Sequence, residues 1–129
     1  KMSDEEGLVV ARGTNAYVVM NLYPYNAGHL LICAFRHVAD LTELNQDERN
    51  EIFELSAHAM KTLREVSAPA GFNLGMNQGA ISGAGVAEHI HQHIVPRWSG
   101  DVNFMPIIGQ TKVLPVLLAQ TRAELAQAW

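Results

Sequence analysis

Cysteine is almost absent: Cys33 is the only one in 129 residues, so no disulfide framework can form within the chain. Positive charge is scarce too. Nine Lys and Arg against thirteen Asp and Glu leave a net charge of −4, which argues against a general nucleic-acid backbone binder, since such proteins replace condensed counterions with Lys and Arg. No hydrophobic run approaches the ~20 residues of a membrane span, and none has the form of a secretory signal. The expectation is a cytoplasmic protein that engages neither membrane nor nucleic acid. Internal repeats and low-complexity tracts are also lacking. What is present is a hydrophobic content of 48%, which argues against disorder and suits one domain over residues 1–129 with a single core.

Periodicity orders the chain as α+β. Leu8 to Arg12 and Ala16 to Leu22 read as strands joined by the turn-rich Gly13-Thr14-Asn15. Tyr23 to Gly28 is a connector and His29 to Ala34 an apolar strand. Asp40 to Leu44 forms a short link. Asn45 then caps a helix running to Val66, because Glu48 stands at the capping-box spacing. Its apolar stripe is Ile52, Leu55, Ala59, Leu63 and Val66; His58 lies beside the stripe and is read as a boundary or surface residue. Ser67 to Gly71 ends the helix, and Phe72 to Gln78 is the next strand. After a loop and a fifth, histidine-bearing strand, Thr111 to Trp129 reads as a C-terminal helix with Pro115 in its first turn. The sum is an antiparallel sheet of about five strands with one long helix and one C-terminal helix.

The fifth strand carries the chemistry. His89-Ile90-His91-Gln92-His93-Ile94-Val95-Pro96-Arg97 holds three of the six histidines at two-residue spacing. In extended backbone His89, His91 and His93 share one face, while Ile90, Gln92 and Ile94 share the other. Same-face neighbours on a strand are roughly 7 Å apart, so a single metal ion does not easily collect all three. A zinc site using two of them would need a third ligand, for which His29 and Glu88 are candidates. A second reading is a polar sheet surface filled by imidazoles. A third is a central imidazole acting as nucleophile on phosphorus: neutral histidine is competent near pH 7, one ring nitrogen attacks while the other holds a proton, and flanking rings donate to developing charge.

Gly79 to Val86 leads directly into this strand with three glycines, Gly79, Gly83 and Gly85. Such a loop can turn backbone amides toward one point as an anion nest, or can be a plain tight turn. Arg97 and Trp98 follow the strand. Arg97 either meets phosphate or pairs with Asp101, and Trp98 either stacks on a base or packs structurally.

These residues resemble the histidine triad (HIT) superfamily of nucleotide hydrolases and transferases. The triad His89, His91 and His93 carries the resemblance, with Asn73 to Asn77, Ser82 to Glu88 and Val95 to Phe104 around it. Met20-Asn21-Leu22-Tyr23-Pro24-Tyr25-Asn26-Ala27-Gly28-His29-Leu30-Leu31 is similar to the family's other signature. The likeness spans roughly residues 8 to 110. It points to the branch of diadenosine polyphosphate hydrolases and phosphorylases related to the fragile histidine triad protein.

The resemblance implies that His91 is the nucleophile on the α-phosphate, giving a nucleotidyl-histidine, and that His93 contacts the phosphate or bridging oxygen. It makes His89 and His29 a supporting pair that sets tautomer and strand geometry. Asn21 matches a position that contacts ribose and Asn77 one that contacts phosphate or leaving group. The amides of Gly83, Ala84, Gly85 and Val86 would cradle phosphate. No metal site and no required cofactor are implied, although a divalent cation can accompany the nucleotide substrate. The partner is that small nucleotide, and the assembly a homodimer.

Three departures bear on this. Val86 stands where many relatives have Ser or Thr, so the loop amides must carry more of the contact. Gln92 replaces a hydrophobic residue within the triad segment; it faces away from the histidines, so its effect is expected on packing or assembly. The Cys-x-x-Cys pair with which some relatives hold structural zinc near the N-terminus does not occur in these residues, so either that site is absent or the sequence begins downstream of it. The intact His93 argues against the galactose-1-phosphate uridylyltransferase branch, which has glutamine there. The leading expectation is cleavage of dinucleoside polyphosphates, diadenosine tetraphosphate first, by water or by orthophosphate. The alternatives are a nucleoside phosphoramidase, a nucleotide-binding sensor without relevant turnover, and a metal-binding protein.

Overall fold

The structure, a computed structural model, describes residues 2–82, 89–101 and 114–129. Five strands form one antiparallel sheet: β1 (Val9–Arg12), β2 (Ala16–Met20), β3 (Leu30–Ala34), β4 (Gly71–Met76) and β5 (His91–Arg97). Their spatial order is β1-β2-β3-β5-β4, so the histidine strand lies inside the sheet with a neighbour on each side. Helix α1 (Gln46–Ser67) connects β3 to β4, and α2 (Leu114–Ala128) follows β5. The expected α+β architecture is the observed one.

Alternation along the strands makes the sheet two-faced. Ala16, Val18 and Met20 of β2, Leu30, Ile32 and Ala34 of β3, and Ile94 of β5 are buried in one core with Ile52, Ala59 and Leu63 of α1 and with Leu118 and Leu125 of α2. This is the helix stripe expected from the sequence, with Leu55 and Val66 partly buried at its margin. Burying such side chains is the main stabilising term for a chain of this size. The opposite face, which carries Tyr17, Leu31, His91 and His93, is left only partly covered.

Polar contacts fix the ends of the elements. Asn45 and Glu48 close a reciprocal capping box at the start of α1. Glu48, itself buried, also receives two 2.8 Å bonds from Arg36 just after β3. Its carboxyl is accordingly held down to about 2, chiefly by the Arg36 guanidinium and then by the Asn45 amide. Glu51 accepts the amides of Asn15 and Ala16 at 2.6 and 2.7 Å, which ties the β1–β2 hairpin to the helix. α1 ends with Ala68 in the left-handed conformation, a common helix stop.

Candidate active site

Register brings the supporting groups to the histidine strand. Cys33 of β3 lies opposite His91 and Leu31 opposite His93, while on the other side Gly75 of β4 lies opposite His93. The rings of His91 and His93 stand edge to face with centroids 4.9 Å apart, closer than the strand repeat because they lean together. His29, immediately before β3, is fully buried and its Nε2 is 2.9 Å from Nδ1 of His93.

Partners that can play only one hydrogen-bonding role assign the protons. The backbone N–H of Tyr25 donates to Nδ1 of His29 at 3.1 Å, so that nitrogen is unprotonated. His29 then carries its proton on Nε2 and donates it to Nδ1 of His93. The proton of a neutral His93 therefore sits on Nε2. The neighbouring ring is set the opposite way: Nδ1 of His91 is 3.0 Å from the His89 carbonyl oxygen, which can only accept. His91 thus keeps its proton on Nδ1 and an unshared pair on Nε2. The strand presents a bare nitrogen next to a protonated one, the combination needed for attack on an electrophile and hydrogen bonding to what leaves.

Burial favours the neutral form of His29 and His93. Desolvation, followed by the charges that His93 and His91 would carry, lowers the His29 pKa to about 3. Burial and then His91 lower that of His93 as well.

His89 departs from the sequence expectation. β5 begins at His91, so His89 lies before the strand and not in it. The backbone turns away there because the Ile90 N–H donates to the Val38 carbonyl at 2.8 Å, and the His89 ring donates from Nε2 to Ala34 O at 2.9 Å. Its contact with the site is its own carbonyl on His91. The exposed His37 packs edge to face on the His89 ring at 4.3 Å; the sequence reading assigned His37 nothing, since it stands alone in a polar turn.

Asn21 lies beside His29, with Nδ2 3.3 Å from both ring nitrogens and Oδ1 accepting the Tyr23 amide. Asn77 is exposed, one residue past the last β4–β5 rung and level with His91. The expected phosphate loop of Gly83, Ala84, Gly85 and Val86, and Glu88 with it, lies outside the described residues, as do residues 111–113 of the expected second helix.

Arg97 takes the structural alternative. Its Nε and Nη2 bind the Asp101 carboxylate at 2.9 and 3.0 Å, and Nη1 reaches Asn73. Trp98 likewise points its indole N–H at the Ser67 carbonyl at the end of α1. Gln92 is buried on the helix side of the sheet, in the wall of a cavity of about 400 Å³ shared with Leu41, Arg49, Ile52, Phe53 and Met76. It is turned away from the histidines, as alternation requires. Among the described residues no group of three or more His, Cys, Asp or Glu could hold a metal ion, and no helix is long and apolar enough to cross a membrane.

Comparison with known proteins gives the family: the model of the HIT domain family fits residues 4–100. The chain belongs to the HIT family. Across its full length this HIT-family chain is 50% identical to a Mycobacterium tuberculosis protein named AP-4-A phosphorylase, of which it spans 66%; it thus covers just under two thirds of that relative's length. Solved HIT structures share the fold. A hypothetical histidine triad nucleotide-binding protein from Sulfolobus tokodaii superposes with a TM-score of 0.76 at 26% identity, over 95% of this chain and 85% of that one. The NitFhit protein of Caenorhabditis elegans gives 0.81 at 21% identity, over 96% of this chain and 28% of its own.

Proposed function

We propose that residues 1–129 act as a single HIT domain that cleaves dinucleoside polyphosphates, diadenosine tetraphosphate first, at the α-phosphate through a nucleotide bound to His91. The observation that carries the reading is the opposed protonation of the two neighbouring rings, with Nε2 of His91 bare and Nε2 of His93 protonated. In the first step Nε2 of His91 forms a bond to the α-phosphorus. The bond from that phosphorus to the bridging oxygen breaks, and the oxygen of the departing ATP, which leaves as the anion, accepts a hydrogen bond from the Nε2–H of His93. In the second step an oxygen of orthophosphate or water bonds to phosphorus, the P–N bond breaks, and His91 is released. Orthophosphate gives ADP as the second product and water gives AMP. The 50% identity to a protein named a phosphorylase favours orthophosphate.

In this reading His29 holds the tautomer of His93 and the His89 carbonyl holds that of His91. Asn21 and Asn77 contact ribose and phosphate, and the amides of Gly83, Ala84, Gly85 and Val86 cradle the polyphosphate. A divalent cation accompanies the substrate. The acting unit is a cytoplasmic homodimer that engages no nucleic acid. Incubating the protein with diadenosine tetraphosphate, with and without orthophosphate, and identifying the products by mass tests the proposal. ADP plus ATP, formed only with orthophosphate, is the expected result; ATP plus AMP would indicate hydrolysis. Absence of cleavage under both conditions would refute the reading.

A further inference from the structure

Asn26 and Asp101 lie within the two segments of resemblance but have no role toward His29 assigned above, yet they meet behind it. The loop 23–28 exposes its two tyrosines, Tyr23 and Tyr25, but buries Asn26 to 3% exposure. The Asn26 amide nitrogen donates to the Pro96 carbonyl at 2.8 Å and to Asp101 Oδ2 at 2.6 Å. Its main-chain oxygen accepts the His29 N–H at 3.1 Å. The preceding residue, Tyr25, supplies the N–H that reaches Nδ1 of His29 and stacks its ring on that imidazole at 5.6 Å. Asp101 serves as a hub: besides Asn26 its carboxylate accepts Arg97 through two bonds and the Trp98 amide at 2.9 Å. A carboxylate filled by these donors is suited to anchoring and not to receiving phosphate.

We propose that Asn26 and Asp101 are positioning residues that act through the loop: by fixing where the Tyr25 N–H points, they hold His29, and through it His93, in one tautomer. The chain of bonds runs from the Arg97–Asp101 pair to the Asn26 amide, to the loop backbone, to Nδ1 of His29 and then to Nδ1 of His93. Release of Asn26 frees Tyr25 from its aim. His29 can then move its proton to Nδ1, and His93 loses the partner that keeps its own proton on Nε2. The kinetic consequence rests on the functional reading above, whereas the tautomers do not.

Long-range ¹H–¹⁵N correlation of the histidine rings in the nucleotide-free protein reads protonation at each nitrogen. The wild-type protein is expected to show bare Nδ1 and protonated Nε2 in both His29 and His93, with His91 reversed. Asn26→Ala and Asp101→Ala are each expected to mix the tautomers of His29 and His93. They should also lower kcat by about tenfold with little change in KM, part of the ~10²–10³ that a positioned hydrogen-bond donor to developing charge contributes. Asp101→Asn keeps an acceptor for the Asn26 amide and should retain the wild-type tautomers. Unchanged ring nitrogens in either alanine variant that folds, or a protonated Nδ1 on wild-type His29, would overturn the proposal. If neither variant folds, the wild-type spectrum alone decides. Failure of the wild-type protein to cleave dinucleotide would count against the functional reading and leave this result standing.

Discussion

Replacing His29 with asparagine should flatten the acid side of the stability profile. The folded chain holds this imidazole at a pKa of about 3, first through burial and then through His93 and His91, whereas in the unfolded chain it titrates near 6.5. Between those values the unfolded state binds a proton that the folded state refuses, so stability falls as pH falls, by up to ~1.4 kcal/mol per pH unit. The whole difference is present above the unfolded value and amounts to about 3–5 kcal/mol of stability lost by the time pH reaches the folded value. At about pH 4 roughly 3 kcal/mol should already be gone. Asparagine leaves an acceptor for the Tyr25 amide and does not titrate. The variant will be less stable than wild type near neutrality, because a ring is removed from a fully buried site, but its curve should fall less steeply toward acid. Urea unfolding of both proteins at several pH values between about 7 and about 4 measures this, and slopes rather than midpoints carry the answer. Parallel curves would mean that His29 is not held neutral by its surroundings, and the tautomer relay would lose its foundation.

Three further outcomes follow from other residues. His91→Ala should abolish the covalent nucleotide adduct seen by mass spectrometry after acid quench, and should lower kcat by at least about a thousandfold. Its far-ultraviolet dichroism should match wild type, because the ring sits on the partly covered face. Gly28→Ala should lose about 1–3 kcal/mol in urea: Gly28 has φ +86° and an added Cβ would lie 3.0 Å from the Leu63 side chain. A smaller loss would mean that the turn before His29 relaxes freely. Gln92→Leu should leave kcat within about twofold and stability unchanged or raised by up to ~1 kcal/mol, because the buried amide faces the cavity and bonds no described side chain. A tenfold loss of kcat would place Gln92 in the chemistry instead.

Much of this molecule is legible in its residues, and the misses share one cause. Asn45 and Glu48 announce the helix start, and its apolar stripe predicts which residues enter the core, because both depend on contacts within a few positions. β3 is read one residue long, since it begins at Leu30 and leaves His29 outside the ladder. β4 likewise ends at Met76, short of the expected Gln78. His89 is the instructive case. Its alternation with His91 and His93 continues unbroken in the sequence, and only Val38 and Ala34, more than fifty positions away, take its segment out of the sheet. The resemblance implies His29 and His89 as the supporting pair, whereas the structure bonds His29 to His93 and His89 to Ala34; the direction of proton donation depends on a backbone amide, which no residue type reveals. Arg97 takes the Asp101 alternative that its i+4 spacing offers, while its reach to Asn73 emerges only when β4 and β5 align.

The two-sided character of β5 sets a limit on how this chain can change. Removing a single position between His91 and Arg97 while the flanking pairings stayed in place would exchange the faces of everything beyond the cut. Imidazole would then enter the oily interior beneath α1, and isoleucine would line the reaction surface. Length variation among descendants of such a sequence is therefore confined to the connections, and tinkering with this strand is restricted to swaps of one side chain for another.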